Sequence, residues 1–287
     1  MKLVSFRRGD VVSYGVVREN RIVPVKTEFA GQYPTLQSVI EQEEEEGALF
    51  EIKRLFDQET TSYSFSDVTF LPVISRPEKI LCVGLNYQMH RIETGRDESE
   101  YPVLFTRFAN TLVGHNEKII RPHASEQLDF EGELAVIIGK AGRHVAPANA
   151  LAHIAGYACF NDATLRDWQR HTHQFTPGKN FPATGGFGPW LVTTDEINDY
   201  SQLTLVTRLN GEEMQHTTTN QMIFNIPTLI SYISTFTELK PGDVIATGTP
   251  GGVGAKRSPP VFMKPGDEVE VEISGIGTLR NTIAAEE

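Results

Sequence analysis

The sequence predicts an α+β protein dominated by strands, and three observations carry that expectation. From Lys79 onward, short apolar runs alternate with glycine-rich turns. Segments with a helical period are few. The texture changes across Leu71–Pro77, where Pro72 and Pro77 mark a junction between a leader and a larger region. The expected division is a small N-terminal α+β domain over 1–72 and a strand-rich domain over 73–287.

The leader opens with a hairpin. Val11, Val12, Val16 and Val17 precede the polar turn Arg18–Arg21, and Ile22, Val23 and Val25 follow it. Between Leu36 and Phe56, the residues Leu36, Val39 and Ile40, then Leu49, Ile52, Leu55 and Phe56, recur at helical spacing. The acid run Glu43–Glu46 between them reads as a solvated helix face or loop, because adjacent carboxylates without spaced partners make a poor metal site.

In the larger region the clearest strands are Lys79–Val83, Val103–Phe105, Leu134–Ile138, Tyr157–Phe160, Leu203–Leu209 and Val269–Ile273. Asn210–Gly211 and Ser274–Gly275 are turn dipeptides at strand ends. Pro227 suits a first helical turn, with Leu229, Ile230, Ile233 and Phe236 on one face behind it. Pro241–Gly242–Asp243 and Pro265–Gly266–Asp267 are matching turns, each ahead of a strand.

The chain has 287 residues, 39% of them hydrophobic and 22% charged, an ordinary globular balance. A net charge of −11 argues against a nucleic-acid partner. Cys82 and Cys159 sit far apart in apolar runs and read as buried free thiols in a reducing compartment. MKLVSFRRGD lacks the apolar stretch of a signal peptide and no segment approaches a membrane span, so the expectation is a soluble, cytoplasmic protein.

Chemistry concentrates in DFEGELAVIIG. In an extended backbone, residues two apart share a face, so Glu131 and Glu133 project together at the head of an apolar strand. Two like charges held close repel, and a cation between them relieves this. Asp162 closes another apolar run in GYACFNDAT; it either joins them as a third ligand or caps a helix through Arg166, Trp168 and Gln169. An all-oxygen set suits Mg²⁺ or Mn²⁺ better than Zn²⁺. His171 and His173 lack a further zinc ligand at familiar spacing.

His90 and Glu93 lie three residues apart, neighbours on one helical turn. A carboxylate beside an imidazole raises its basicity and fixes its tautomer. The polar stretch from Glu93 to Glu100 reads as a lid. Lys179 in TPGKNFP and the run ATGTPGGVG, with small residues and open backbone N–H groups beside Thr249, suit an anionic substrate.

With these residues assembled, the chain resembles the fumarylacetoacetate hydrolase family. The matching segments are VGLNYQMH, DFEGELAVIIG, GYACFNDATLRDWQ, GKNF, ATGTPGGVG and KPGDEVEVEISGIGTLRN, in the family's order across roughly 78–282. The resemblance implies a mixed β-sandwich roll, a homodimer, and one Mg²⁺ or Mn²⁺ per subunit. It places Glu131, Glu133 and Asp162 as metal ligands, and His90 and Glu93 as the catalytic dyad on the lid. Lys179 takes the family lysine's place, with Arg166, Gln169 and Thr249 facing the substrate. Two departures bear on the substrate. The stretch RHTHQFTPG between Gln169 and Lys179 is short, and Phe105 is followed by Thr106, Arg107 and Phe108 where the family often has Lys-Pro.

The expected activity is hydrolysis of a carbon–carbon bond in an acylpyruvate or related 2,4-diketo acid, releasing pyruvate through an enolate that the metal stabilises. The alternative is an oxaloacetate-type decarboxylase or an enol–keto isomerase on the same site. A non-catalytic binding protein would lack part of the dyad or the ligand set, and neither is missing. The expected partner is a small keto acid, with no nucleic acid and no membrane.

Overall fold

The computed structural model describes residues 1–43, 47–56 and 61–287, without the side chains of Phe50 and Leu55. Of the acid run, only Glu43 lies within the described residues. The fold is α+β and strand-dominated, with two large mixed sheets facing one another.

The leader hairpin forms as its pattern predicts. Val11–Arg18 pairs antiparallel with Arg21–Pro24, and the turn passes through Glu19 and Asn20 at φ 49° and 60°. Positive φ at both central residues matches the twist of the flanking strands. The strand Lys2–Arg8 pairs with this hairpin on one side and with Gly185–Thr193 on the other, Leu3 opposite Leu191. The segment of helical period is two helices, Leu36–Glu41 and Ala48–Phe56. The first starts at a capping box, in which Thr35 and Ser38 each accept the other's backbone N–H.

Among the described residues, twelve strands form the larger sheet. Its site-bearing half runs Gly185–Thr193, Ile154–Asn161, Gly132–Ile138, Val244–Ala246, Ile80–Gly84, Val103–Arg107. The second sheet orders Glu212–Thr218, Thr204–Leu209, Glu268–Ile273, Gly277–Ala285 and Lys118–Arg121. Leu134, Val136 and Ile138 pack with Leu205, Val271 and Ile273 of the second sheet, whereas Ala135 and Ile137 join the core beneath the leader helices. Burial on both faces explains why Leu134–Ile138 is apolar throughout. Each large side chain so buried contributes about 1.5–3 kcal/mol.

The helix Ile226–Phe236 begins at Asn225, whose Oδ1 accepts the Thr228 N–H at 3.0 Å. Leu229, Ile230 and Ile233 enter the core, but Phe236 is 56% exposed. Ser234 takes the buried position instead, where its Oγ accepts the Val145 N–H, and Phe236 packs edge-on to Tyr232. The two Pro-Gly-Asp turns close alike: Asp243 accepts the Lys240 N–H at 2.8 Å and Asp267 the Lys264 N–H at 2.7 Å. Cys82 and Cys159 are free and buried. No helix among the described residues is long and apolar enough to cross a membrane.

Candidate metal centre

The acids meet because two adjacent strands deliver them at the same end. Gly132–Ile138 pairs antiparallel with Ile154–Asn161, Gly132 opposite Asn161. Just beyond that pair the Glu131 N–H donates to Asn161 Oδ1 at 3.0 Å, and the Asp162 N–H donates to the Glu131 carbonyl at 2.8 Å. One oxygen from each of Glu131, Glu133 and Asp162 lies within 4.8 Å of the others, and all three residues are buried. The short helix Arg166–Gln169 starts at Leu165 with no side-chain cap, so Asp162 does not cap it.

Three buried cations surround the cluster. Lys179 Nζ bridges Glu131 Oε2 at 2.6 Å and Asp162 Oδ2 at 2.5 Å. Arg107 Nη1 donates to Asp162 Oδ1 at 2.6 Å and to the Ala163 carbonyl, while its Nη2 donates to Thr184 Oγ1. Arg166 lies 2.6 Å from Glu131 Oε1 through Nη1 and donates through Nε to Asp129 Oδ2 at 2.7 Å; Nη1 also reaches Gln169 Oε1. With Asp129, Glu131, Glu133 and Asp162 against Arg107, Arg166 and Lys179, the buried charges leave one negative in surplus.

That surplus falls on Glu133. Burial raises its carboxyl well above the ordinary range, and the Asp162 and Glu131 carboxylates raise it further. Burial pushes Glu131 the same way, yet Lys179, Arg166 and His90 together hold it down to about 2. Burial works against the Lys179 ammonium, but Asp162 and Glu131 overcome it and raise its pKa. A divalent cation fits here: three converging carboxylates supply hard oxygen ligands, and Glu133, which makes no ion pair among the described residues, needs its charge met.

His90 and Glu93 sit on the helix Gln88–Thr94, with His90 Nδ1 2.8 Å from Glu93 Oε1. The other Glu93 oxygen accepts the Gly252 N–H at 2.9 Å. The glycine-rich loop after Val244–Ala246 thus donates to several carboxylates. Its Gly248 N–H reaches Glu133 Oε2 at 2.8 Å, and Gly254 and Ala255 reach the two oxygens of Asp129. The sequence suggested these N–H groups were open to a substrate anion; in the structure protein acids occupy them. Gly248 adopts φ +105°, and a Cβ there would lie 2.7 Å from that of Asn86. Thr249 Oγ1 donates to the Gly132 carbonyl at 3.0 Å and accepts from Gln215 Nε2 at 2.8 Å. Beside the dyad lies a cavity of about 310 Å³, lined in part by Tyr87, Met89, Ile92, His216 and Pro250.

The structure therefore brings Lys179, Arg166 and Gln169 to the acid cluster, joins His90 to Glu93, and ties Thr249 to the strand that carries Glu133. His171 and His173 are exposed, and His171 lies against Trp168. Sequence reasoning missed Arg107, Asp129 and Gln215. Asp129 had a signal in the alternation that joins it to Glu131 and Glu133. Gln215 had one as the polar residue at an inward position of a strand. For Arg107 the only signal was its departure from the family pattern.

Known proteins resemble this chain over most of its length. Residues 79–284 match the family described as fumarylacetoacetate (FAA) hydrolase C-terminal. A Bos taurus protein named oxaloacetate tautomerase FAHD2A, mitochondrial, is 42% identical over 254 residues, which are 87% of this chain and 81% of that one. Oxaloacetate tautomerase YisK of Bacillus subtilis is 43% identical over 226 residues, 77% of this chain and 75% of that one. Among solved structures, the fumarylacetoacetate hydrolase of Exiguobacterium antarcticum superposes with a TM-score of 0.83 at 36% identity, covering 100% of both chains. Maleylpyruvate hydrolase from Sphingobium sp. SYK-6, in complex with manganese(II) and pyruvate, gives 0.82 at 25% identity, again over 100% of both.

Proposed function

Because the chain belongs to the fumarylacetoacetate hydrolase family, we propose that it is a divalent-metal-dependent enzyme interconverting the enol and keto forms of oxaloacetate or a similar small 2-keto acid. The observation that carries this is the His90–Glu93 pair held on the same glycine loop as the buried acid Glu133. A proton carrier and a cation-binding cluster are thereby fixed to one another. Relatives named oxaloacetate tautomerase, across most of both chains, support the choice of reaction.

Mg²⁺ or Mn²⁺ held by Glu131, Glu133 and Asp162 would supply a Lewis acid for the oxygens of a 2-keto acid. Glu93 fixes His90 with Nδ1–H donated to its carboxylate, which leaves Nε2 to exchange the proton. Nε2 takes the proton from the enol hydroxyl and returns one to the far carbon of the enol double bond, so the reaction is balanced without water or a leaving group. Lys179, held protonated by Glu131 and Asp162, offsets negative charge while the proton is on His90. Gln169 and Arg166 orient the substrate from the side of Glu131. The same reading takes the protein as a homodimer, which sedimentation of the pure chain tests.

A second reading is hydrolysis of an acylpyruvate, favoured by the His90–Glu93 pair, which is also the arrangement that activates water. The likeness to a maleylpyruvate hydrolase supports it. A substrate panel with Mg²⁺ decides between them. Faster loss of the oxaloacetate enol without release of pyruvate supports tautomerisation, and pyruvate from an acylpyruvate supports hydrolysis. Carbon dioxide from oxaloacetate would instead mark a decarboxylase, and inactivity toward the whole panel would sink the proposal.

A further inference from the structure

Asp129 lies two residues before Glu131 and is fully buried in the short ladder that pairs it with Thr164. Both its oxygens are used. Oδ1 accepts the Gly254 N–H at 2.8 Å and its own neighbour's N–H, from Phe130, at 2.9 Å. Oδ2 accepts the Ala255 N–H at 2.9 Å and Arg166 Nε at 2.7 Å. The chain allows this approach only because residue 254 is glycine: a Cβ there would lie 2.6 Å from Asp129 Oδ1 and 1.9 Å from the Val261 carbonyl.

Arg166 is thereby held by two edges. Asp129 takes Nε, while Nη1 is shared by Glu131 and Gln169. The remaining nitrogen, Nη2, is buried and has no hydrogen-bond partner among the described residues, although the residue is only 5% exposed. A buried guanidinium N–H left unpaired costs free energy unless something fills the place. It belongs to the same rigid fork as an Nη1 lying 2.6 Å from a carboxylate of the acid cluster.

We infer that Asp129 is a positioning residue: it fastens the glycine loop and Arg166 together so that Arg166 Nη2 is presented, pre-oriented, to an anionic oxygen of the substrate. The inference rests on the keto-acid reading above. Asp129 lies outside the triad of Glu131, Glu133 and Asp162 and acts through Arg166. Without it the guanidinium is held only at Nη1, by Glu131 and Gln169, and the carboxylate-binding donor loses its fixed direction.

The test uses oxalate as the probe, titrated calorimetrically into the full-length protein loaded with Mn²⁺. Asp129→Asn keeps the size and an acceptor oxygen but gives up the charge that holds Nε. Its oxalate affinity is expected to fall about tenfold, the equivalent of one weakened charge-assisted hydrogen bond, with Mn²⁺ affinity within about twofold of wild type. In an Arg166→Gln background the same change should add nothing, a non-additivity that a general loosening of the fold would not produce. Asp129→Glu keeps the charge and should retain more affinity than Asp129→Asn; if the asparagine variant does not fold, a loss of about threefold in Asp129→Glu is the expected reading. Unchanged oxalate affinity, additive losses with Arg166→Gln, or an equal loss of Mn²⁺ affinity overturns the role given to Asp129. Wild-type protein that takes up no oxalate overturns the keto-acid reading and this inference with it, whereas wild-type uptake with unchanged affinity in Asp129→Asn overturns the role of Asp129 alone.

Discussion

Arg107 and Asp162 form an ion pair closed off from solvent, Nη1 to Oδ1 at 2.6 Å with both side chains at 0% exposure. Taking two charges out of water is costly, and the pair stands because Thr184, Thr111 and the Ala163 carbonyl occupy the rest of the guanidinium fork. Replacing Arg107 with Met leaves Asp162 with Lys179 as its one ion-pair partner among the described residues. The expected loss is about 3–5 kcal/mol in urea unfolding of the metal-free protein. Arg107→Lys keeps the charge but not the fork, and should cost about 1–2 kcal/mol. Equal stability of all three proteins would contradict this.

Glu133 makes the opposite prediction. Its ionisation is opposed by burial and by Asp162 and Glu131, so the metal-free fold gains little from its charge. Glu133→Gln should leave the metal-free melting temperature unchanged or higher. Mn²⁺ affinity should fall by more than about a hundredfold, beyond what loss of an outer hydrogen-bond partner costs. Calorimetric metal titration and thermal melts in chelator read both effects.

His90 carries the proton in either proposed reaction, so His90→Ala should lower turnover by about 10²–10⁴-fold while Mn²⁺ content stays intact. Glu93→Gln should fall between wild type and His90→Ala, since the amide can still accept from Nδ1 but does not stabilise an imidazolium. Full activity in His90→Ala, measured on whichever substrate proves active, would remove the histidine from the mechanism.

Away from the site, His115 provides a pH-dependent term. Burial first, and Arg280 second, lower its pKa from 6.5 to about 4. Its Nδ1 accepts the Arg280 N–H at 3.1 Å and its ring meets Phe70 edge-on, both of which suit the neutral form. The unfolded chain takes up this proton first, so the stabilisation is whole above about pH 6.5 and is lost as pH falls toward 4, up to about 3 kcal/mol. His115→Asn retains an acceptor and should show a shallower fall in urea midpoint over that range. Parallel curves for the two proteins would rule the term out.

Much of this molecule was readable in its sequence because local rules govern the parts concerned. Val16 and Val23 faced each other across a turn whose residues suited it, and Glu131 and Glu133 shared a face because strand alternation requires it. What could not be read depends on distant segments. Leu3 pairs with Leu191, which merges the leader's strands with the larger sheet, and nothing near either residue announces it. Arg107 reaches Asp162 from another strand, and Gln215 reaches Thr249 from the second sheet. The loop's N–H groups looked open because backbone donors carry no mark of the carboxylates that will fill them. Phe236 was placed inward by its spacing, but Ser234 had the partner that made burial possible.

The glycine loop also sets an order of events during synthesis. Glu131, Glu133 and Asp162 leave the ribosome before Gly248, Gly252 and Gly254 have been added to the chain. Until those residues arrive, Glu133, Glu93 and Asp129 lack the N–H groups that the glycine loop donates to them in the finished protein. The arrangement of the acids is therefore completed late, when the C-terminal segment docks as the strand Val244–Ala246 between Gly132–Ile138 and Ile80–Gly84. A nascent or truncated chain ending before Gly248 would carry the acids without the scaffold that makes them a site.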